Sequence, residues 1–250
     1  MDNDILGTSA ASRRKFLKTT ALAAAGVGLG GMAFPLAAHA ATDDPGSIIG
    51  VALVAEYLAV TFQTNALANA DAIGLTPAER TTIQAVVATE ALHVDYLTAY
   101  GAKAPYQGPF SFPMGTFSSR TGYASTAVIL ETAFVAAYMA ATREFAADAR
   151  ADLAQLTYQL GSVEAEHRAL SRAVGNFLPY SDVAFETNLI PNVAAAAQVL
   201  TTLNIIPSGS PSVDVNAAAS ASRIVTLAYT AANQNQAMGY INLLTQTTPS

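Results

Sequence analysis

The chain has 250 residues, of which 52% are apolar and 12% are charged, and its formal net charge is −6. This apolar share can fill one sizeable core, and the scarcity of charge predicts extensive burial in a helical core or in the interface of a homo-oligomer. No cysteine is present, which excludes disulfides, thiolate metal sites and iron–sulfur clusters. The acidic balance, with no Lys/Arg-rich stripe after residue 18, argues against nucleic acid as a partner.

The first 40 residues are predicted to be a signal peptide. Residues 12–18 read Ser-Arg-Arg-Lys-Phe-Leu-Lys, which matches the twin-arginine export pattern position by position. An apolar segment from Thr19 to Leu36 follows, and Ala38-His39-Ala40 supplies an A-x-A cleavage site. The alternative is a membrane anchor, because the apolar run is close to the length that spans a bilayer. The cleavage site and the glycines of the segment favour export to the periplasm or the exterior, without a membrane anchor in the mature chain.

Capping and breaker residues predict four long helices in the mature chain. Aspartate followed by proline marks the start of the first helix, and a capping box with proline in the first turn marks the start of the second. Glycines close the first, second and fourth helices. The first predicted helix begins at Asp44-Pro45 and is closed by Gly74. The other three run from about Pro77 to Tyr100, from about Gly122 to Phe145, and from about Arg150 to Val174.

A long connection separates the second and third predicted helices. Residues 102–120 contain three prolines and two glycines interleaved with aromatic residues, which is typical of a bundle crossover whose phenylalanines cover an end of the core. Beyond Gly175 the pattern is looser, and a fifth helix is predicted from about Val215 to Leu244. The predicted fold is all-α: a four-helix bundle of two antiparallel hairpins over residues 41–175, and a C-terminal helical extension over residues 176–250.

Two histidines remain after the predicted signal peptide, and both follow a glutamate by three positions. The pairs are Glu90 with His93 and Glu164 with His167. Residues three apart on a helix lie on one face, so each pair can direct a carboxylate and an imidazole at the same point. Because the mature chain has only eight glutamates, coincidence explains this spacing poorly. The alternative is a set of solvated charges on helix faces with two ordinary histidines.

A further glutamate precedes each pair at nearly the same interval. Glu56 lies 34 residues before Glu90, and Glu131 lies 33 residues before Glu164. In an antiparallel hairpin, residues equally far from the turn face each other, and the two midpoints fall beside Gly74 and between residues 147 and 148. Both hairpins therefore place their acids about 25 Å from the loop, at 1.5 Å per residue. Four buried carboxylates would be very costly unless cations neutralised them, so the pattern predicts two metal ions.

Residues 45–175 resemble the ferritin-like di-iron carboxylate proteins, whose bundle takes one Glu from each of two helices and a Glu-x-x-His pair from each of the other two. The exported bacterial members and the desiccation-related group look most similar. The resemblance implies bridging roles for Glu90 and Glu164, terminal roles for Glu56 and Glu131, and iron as the metal, with manganese as the alternative. The implied metal ligands are Glu56, Glu90, His93, Glu131, Glu164 and His167.

The chain also departs from two branches of that superfamily. Without cysteine it lacks the iron–thiolate module of rubrerythrins. Thr89 and Val163 stand where the oxygenase and ribonucleotide-reductase branch has an aspartate, which argues against radical or hydroxylation chemistry.

Four more side chains are candidates to orient the ligands from behind. Tyr138 and Gln63 each lie seven residues after a terminal glutamate, so both project towards the bundle axis, where core packing is the alternative role. Tyr57 directly follows the ligand on the first helix, and Asp95 lies two residues after the first histidine.

Two functions of different classes fit this ligand set. The first is redox chemistry, in which iron(II) is oxidised by oxygen or peroxide at a dimetal centre, while manganese would direct the same ligands to peroxide disproportionation, as in manganese catalases. The second is a non-enzymatic stress protein or structural protein, in which the metals chiefly stabilise the bundle and the C-terminal region packs against partners.

Overall fold

The computed structural model describes residues 43–183, 190–205 and 223–244, and the predicted signal peptide lies outside them. The four long helices of the bundle have ends within about two residues of the predicted ones, except that the first ends early and a short helix continues to Gly74. In chain order the helices and strands are α1 Pro45–Ala68, α2 Ala70–Ile73, α3 Pro77–Ala99, β1 Phe110–Pro113, α4 Arg120–Ala147, α5 Ala151–Val174, α6 Val193–Thr202, β2 Arg223–Leu227 and α7 Ala231–Met238, followed by a 3₁₀ turn at Ile241–Leu243.

The helix starts are set by the residues that cap them. Asp44 caps α1 and Ser119 caps α4, each with its side chain accepting a hydrogen bond from a backbone N–H of the first turn. Thr76 and Glu79 form the reciprocal capping box that begins α3. Gly74 ends α2 with a φ of 81°, a conformation that glycine adopts without a steric penalty. Local sequence therefore fixes where the first hairpin turns and where α4 begins.

The four long helices form two hairpins, α1 with α3 and α4 with α5, packed side by side. Arg120, at the start of α4, donates hydrogen bonds to the carbonyls of Gly74 and Val174, so the α2–α3 turn and the end of α5 lie at the same end of the bundle. We call this the turn end. Near the end of α4, Glu144 accepts a hydrogen bond from the backbone N–H of Asp43, just before α1 begins. The connection from α3 to α4 therefore crosses the full length of the bundle, as predicted.

The C-terminal region differs from its prediction. Residues 223–227 form β2, which pairs antiparallel with β1 of the crossover, Phe110 opposite Leu227 and Phe112 opposite Val225. The expected helix from Val215 to Leu244 is therefore wrong over β2, and α7 occupies only residues 231–238 of it. Residues 215–222 of that prediction lie outside the described parts of the chain.

The aromatic residues of the crossover pack into the core. Phe112 and Phe117 both contact Phe62 of α1, with ring centroids 5.5 Å apart. Tyr123, from the first turn of α4, joins this cluster, because its ring stacks on Phe62 at an interplanar angle of 7°. Phe110 is fully buried as well. The crossover aromatics thus have the structural role that their composition predicted.

Two short helices cover faces of the bundle. Helix α6 packs against α1 and α4, and Glu144 accepts a hydrogen bond of 2.7 Å from the N–H of Val193 at its first residue. Helix α7 packs against α1 and α3, where the Gln234 side-chain amide donates to the carbonyl of Ala91 at 3.0 Å. Helix α6 was not predicted, although Asn192 is a typical N-cap and an alanine run follows it.

Helices α1 and α4 are long and apolar enough to cross a membrane by length and composition alone. In this fold they are core helices, with 78% of the apolar window of α1 and 61% of that of α4 buried inside the protein. Their hydrophobicity is used for packing the bundle.

Candidate metal centre

All six predicted ligands lie together inside the bundle. Four carboxylates and two imidazoles converge at the level where the two hairpins face each other, and each residue is at most 5% exposed. One glutamate comes from α1 and one from α4, while α3 and α5 each supply a Glu-x-x-His pair. The residues are Glu56 (α1), Glu90 and His93 (α3), Glu131 (α4), and Glu164 and His167 (α5).

The ligands form two overlapping groups that share Glu90 and Glu164. In the first group, Nδ1 of His93 lies 3.2 Å from Oε2 of Glu56, 3.3 Å from Oε2 of Glu90 and 3.3 Å from Oε1 of Glu164. Within each group the ligand atoms lie within 4.8 Å of one another. A single cation could therefore contact all the ligand atoms of a group.

The second group is the counterpart of the first and adds Glu131. Here Nδ1 of His167 lies 2.7 Å from Oε1 of Glu90 and 3.5 Å from Oε2 of Glu164. Each shared glutamate thus presents one oxygen to one histidine and its other oxygen to the other. This is the arrangement that two bridging carboxylates need in order to join a pair of metal ions.

Within the described part of the chain, the shared carboxylates lack the hydrogen-bond donors that buried carboxylates need in the absence of a cation. Among the described residues, none provides an aligned hydrogen bond to either oxygen of Glu90 or Glu164, or to Oε2 of Glu131, although these atoms are fully buried. Buried carboxylate oxygens without donors are costly, whereas ligation by a cation would satisfy them. The donor set, carboxylate oxygen with imidazole nitrogen, suits iron and manganese. The residues present therefore fit a dimetal centre.

The electrostatics of the cluster show an excess of negative charge. Burial, reinforced by Glu164 and opposed by His93, raises the pKa of Glu56 from 4.5 to about 8. Burial and the nearby carboxylates of Glu164 and Glu90 likewise raise the pKa of Glu131 well above its usual range. Glu56 and Glu131 are therefore the members of the site whose charge the protein itself compensates least.

At Glu90 and at the two histidines, by contrast, the pKa shifts favour the charged form of the side chain. Burial alone would raise the pKa of Glu90, but the imidazoles of His167 and His93 together outweigh it and lower that pKa below the usual range. Burial alone would lower the pKa of both histidines, yet the surrounding carboxylates raise the pKa of His93 and of His167 well above 6.5. Two imidazoliums cannot neutralise four carboxylates, and two divalent cations can.

Of the four orienting candidates, Tyr138 reaches the ligands directly. Its hydroxyl donates a hydrogen bond to Oε1 of Glu56. Gln63 is buried, but its Oε1 accepts a 2.8 Å hydrogen bond from Tyr123, so it supports the core next to the site. Tyr123 was not singled out by the sequence, because it lies eight residues before Glu131 and so does not have the seven-residue spacing that had indicated Gln63 and Tyr138.

The two remaining candidates face away from the ligands. The ring of Tyr57 stacks on Tyr229, with centroids 4.0 Å apart, and so helps to attach the C-terminal region. Asp95 is exposed and accepts a hydrogen bond of 3.1 Å from Gln234 of α7. Both residues therefore connect the bundle to the C-terminal segment, a role that the sequence pattern did not indicate.

Fold and site together define a helical-bundle protein with a buried, carboxylate-rich site able to hold a metal. The model of the ferritin-like domain family matches residues 46–176, just over half of the chain, so the chain belongs to the ferritin-like family. The matched residues include all four long helices except Pro45, and all six candidate ligands. No curated protein and no solved structure gives a match to this chain.

Proposed function

We propose that the mature protein binds two metal ions at this centre, with iron as the preferred metal. The protein then oxidises iron(II) with peroxide or oxygen outside the cytoplasm. The observation that carries the proposal is the pair of shared carboxylates, since Glu90 and Glu164 each direct one oxygen towards each histidine. Sharing of this kind is suited to two adjacent cations, about 3.5 to 4 Å apart in two-metal sites.

The chemistry of the proposal is a two-electron reduction of the oxidant. When bound, two iron(II) ions would supply one electron each to one hydrogen peroxide, whose O–O bond would break and which would take up two protons to leave as two waters. The protein holds the ligands at one level of the bundle, keeps bulk water away through the burial of all six, and fixes Glu56 through Tyr138.

The sequence before the bundle supports a function outside the cytoplasm. Residues 12–18 match the twin-arginine export signal, and that route carries folded proteins, often with a cofactor already inserted. Loading of the metal in the cytoplasm before export is consistent with ligands that are buried in the folded bundle.

The proposal is tested with protein exported by its own route. We expect about two metal ions per chain by elemental analysis, and oxygen- or peroxide-dependent oxidation of added iron(II). Glu90→Ala and His167→Ala should each abolish both properties. Glu166→Ala is the matched control, because Glu166 is exposed on the same helix as His167 and belongs to neither ligand group.

Each other outcome assigns a different function. Bound metal without iron(II) oxidation or peroxide consumption would show that the centre is a structural site of a stress protein. Manganese with peroxide disproportionation would show a catalase-type activity. Failure to bind metal under any loading condition would overturn the proposal.

A further inference from the structure

Three faces of the bundle are closed by packing. Helix α7 covers the face between α1 and α3, and α6 covers the face between α1 and α4. On the face between α4 and α5 the two helices approach closely at Gly161, where a Cβ atom would come within 2.8 Å of the Cβ of Tyr138. The fourth face, between α3 and α5, is different, because an open cleft lies between these two helices.

A cleft of about 400 Å³ lies on this fourth face. It is lined by α3 with its C-cap Tyr100 and by α5, from Asp152 in the first turn to Val163, and His93 forms part of its wall. The cleft therefore extends from the end opposite the turn end to the level of the centre. Of the six ligands, His93 is the one that lines it.

The walls of the cleft combine apolar side chains of α5 with hydroxyl and amide groups, and they carry little net charge. Tyr96 and Tyr100 are 56% and 48% exposed, and Gln155 and Gln159 face them from α5. The charge of Asp152 at the mouth is offset by Arg150, whose Nη2 lies 2.8 Å from its carboxylate. Hydroxyl and amide groups of this kind can solvate small polar species without retaining them by charge.

We propose that this cleft is the path by which hydrated divalent cations and hydrogen peroxide reach the centre, and that it opens on the half formed by Glu56 and His93. The inference rests on the proposed function in taking these species as the substrates. It makes the two metal positions unequal: the one held by Glu56 and His93 exchanges first, and the one held by Glu131 and His167 exchanges after it.

The first test changes the width of the cleft and measures metal exchange in the full mature protein. Gln159→Trp places an indole in the cleft and should slow both cobalt(II) uptake and release of bound metal to a chelator several-fold, with two metals still bound at equilibrium. Tyr96→Ala widens the cleft and should accelerate both processes. Ser162→Trp, on an exposed position of α5 that does not line the cleft, should leave the rates unchanged.

The second test needs no metal and so separates this inference from the proposed function. In chelator-treated protein, diethyl pyrocarbonate should modify His93 before His167, as followed site by site by mass spectrometry. Gln159→Trp should slow the modification of His93 alone. If His167 reacts first or equally fast, or if neither Gln159→Trp nor Tyr96→Ala changes any of these rates, the centre is reached by another path and the inference is overturned.

Discussion

At the scale of single residues, the hydrogen bond from Tyr138 to Glu56 links the core to the centre. Burial raises the pKa of Tyr138 well above its usual range, so the phenol stays protonated and remains a donor. It occupies Oε1 of Glu56, while Oε2 lies towards His93. The hydroxyl therefore leaves Oε2 of Glu56 as the oxygen available to a metal ion.

Replacing Tyr138 by phenylalanine removes that hydroxyl and keeps the ring. We expect the affinity for one of the two metal equivalents to fall by roughly 10- to 100-fold, the usual effect of losing a partner that orients a ligand. Titration against a chelator of known affinity would resolve the two binding steps.

The control for this variant is Tyr123→Phe. It removes an equally buried hydroxyl, but one that donates to Gln63 and to no ligand of the first group. The metal equivalent held with Glu56 should keep its affinity in this protein. Equal metal affinities in Tyr138→Phe and in the unchanged protein would show that Glu56 is oriented without the tyrosine.

The residues of the centre could be predicted because helical geometry relates spacing to direction. Residues three or seven apart share a face, which correctly grouped the two Glu-x-x-His pairs and placed Gln63 and Tyr138 in the interior. Residues one or two apart do not share a face. Tyr57 and Asp95 were selected by such adjacency, and both contact the C-terminal region, whose position the sequence did not predict.

At the scale of helices, Arg120 connects the two hairpins at the turn end. It begins α4, forms an ion pair with Glu79 of the α3 capping box, and donates to the carbonyl of Val174 at 2.8 Å. A third bond goes to the carbonyl of Gly74. One side chain thus satisfies carbonyls at the end of α5 and in the α2–α3 turn, and it sets the register of one hairpin against the other.

Arg120→Met should weaken this connection without removing the aliphatic stem. We expect the free energy of unfolding to fall by about 2 kcal/mol at neutral pH, because charge-assisted hydrogen bonds are lost and carbonyls are left without a donor. Urea denaturation followed by circular dichroism measures the difference.

The effect should depend on pH through Glu79. The hydrogen bond from Arg120 lowers the pKa of Glu79 from 4.5 to about 2, so the stabilisation is complete above pH 4.5 and is lost as the pH falls towards 2. The difference between the two proteins should shrink over the same range. Arg150→Met, which breaks an exposed ion pair with Asp152, is the control and should show no measurable change. A constant difference from pH 6 to pH 2 would contradict this account.

Where the prediction of helices and strands failed, long-range pairing decided the structure. The alanine-rich stretch after Val215 favours a helix by local propensity, but Arg223–Leu227 pairs with Phe110–Pro113, more than 100 residues earlier. The β-branched run Ile224, Val225 and Thr226 was a local signal for a strand. Its partner strand could not be identified without the fold.

At the scale of the whole molecule, burying the candidate metal ligands reduces the stability of the bundle. The bundle buries four carboxylates that the protein compensates with only two imidazoles, and the raised pKa values of Glu56 and Glu131 show where the cost of burial falls. Functional sites commonly reduce the stability of the fold around them. A protein that lacks its metal should therefore be measurably less stable than the loaded protein.

Glu131→Gln tests this loss of stability, because it keeps the shape of the side chain and removes a carboxylate that burial, Glu164 and Glu90 disfavour. In chelator, the variant should be at least as stable as the unchanged protein. With free metal at a thousand times its dissociation constant, the unchanged protein should gain about 4 kcal/mol per site, whereas the variant should lose most of the gain from the site held with His167. Urea denaturation with and without metal measures all four values. A metal-dependent gain equal in both proteins, or a variant that is less stable in chelator, would show that Glu131 is a structural residue of the core.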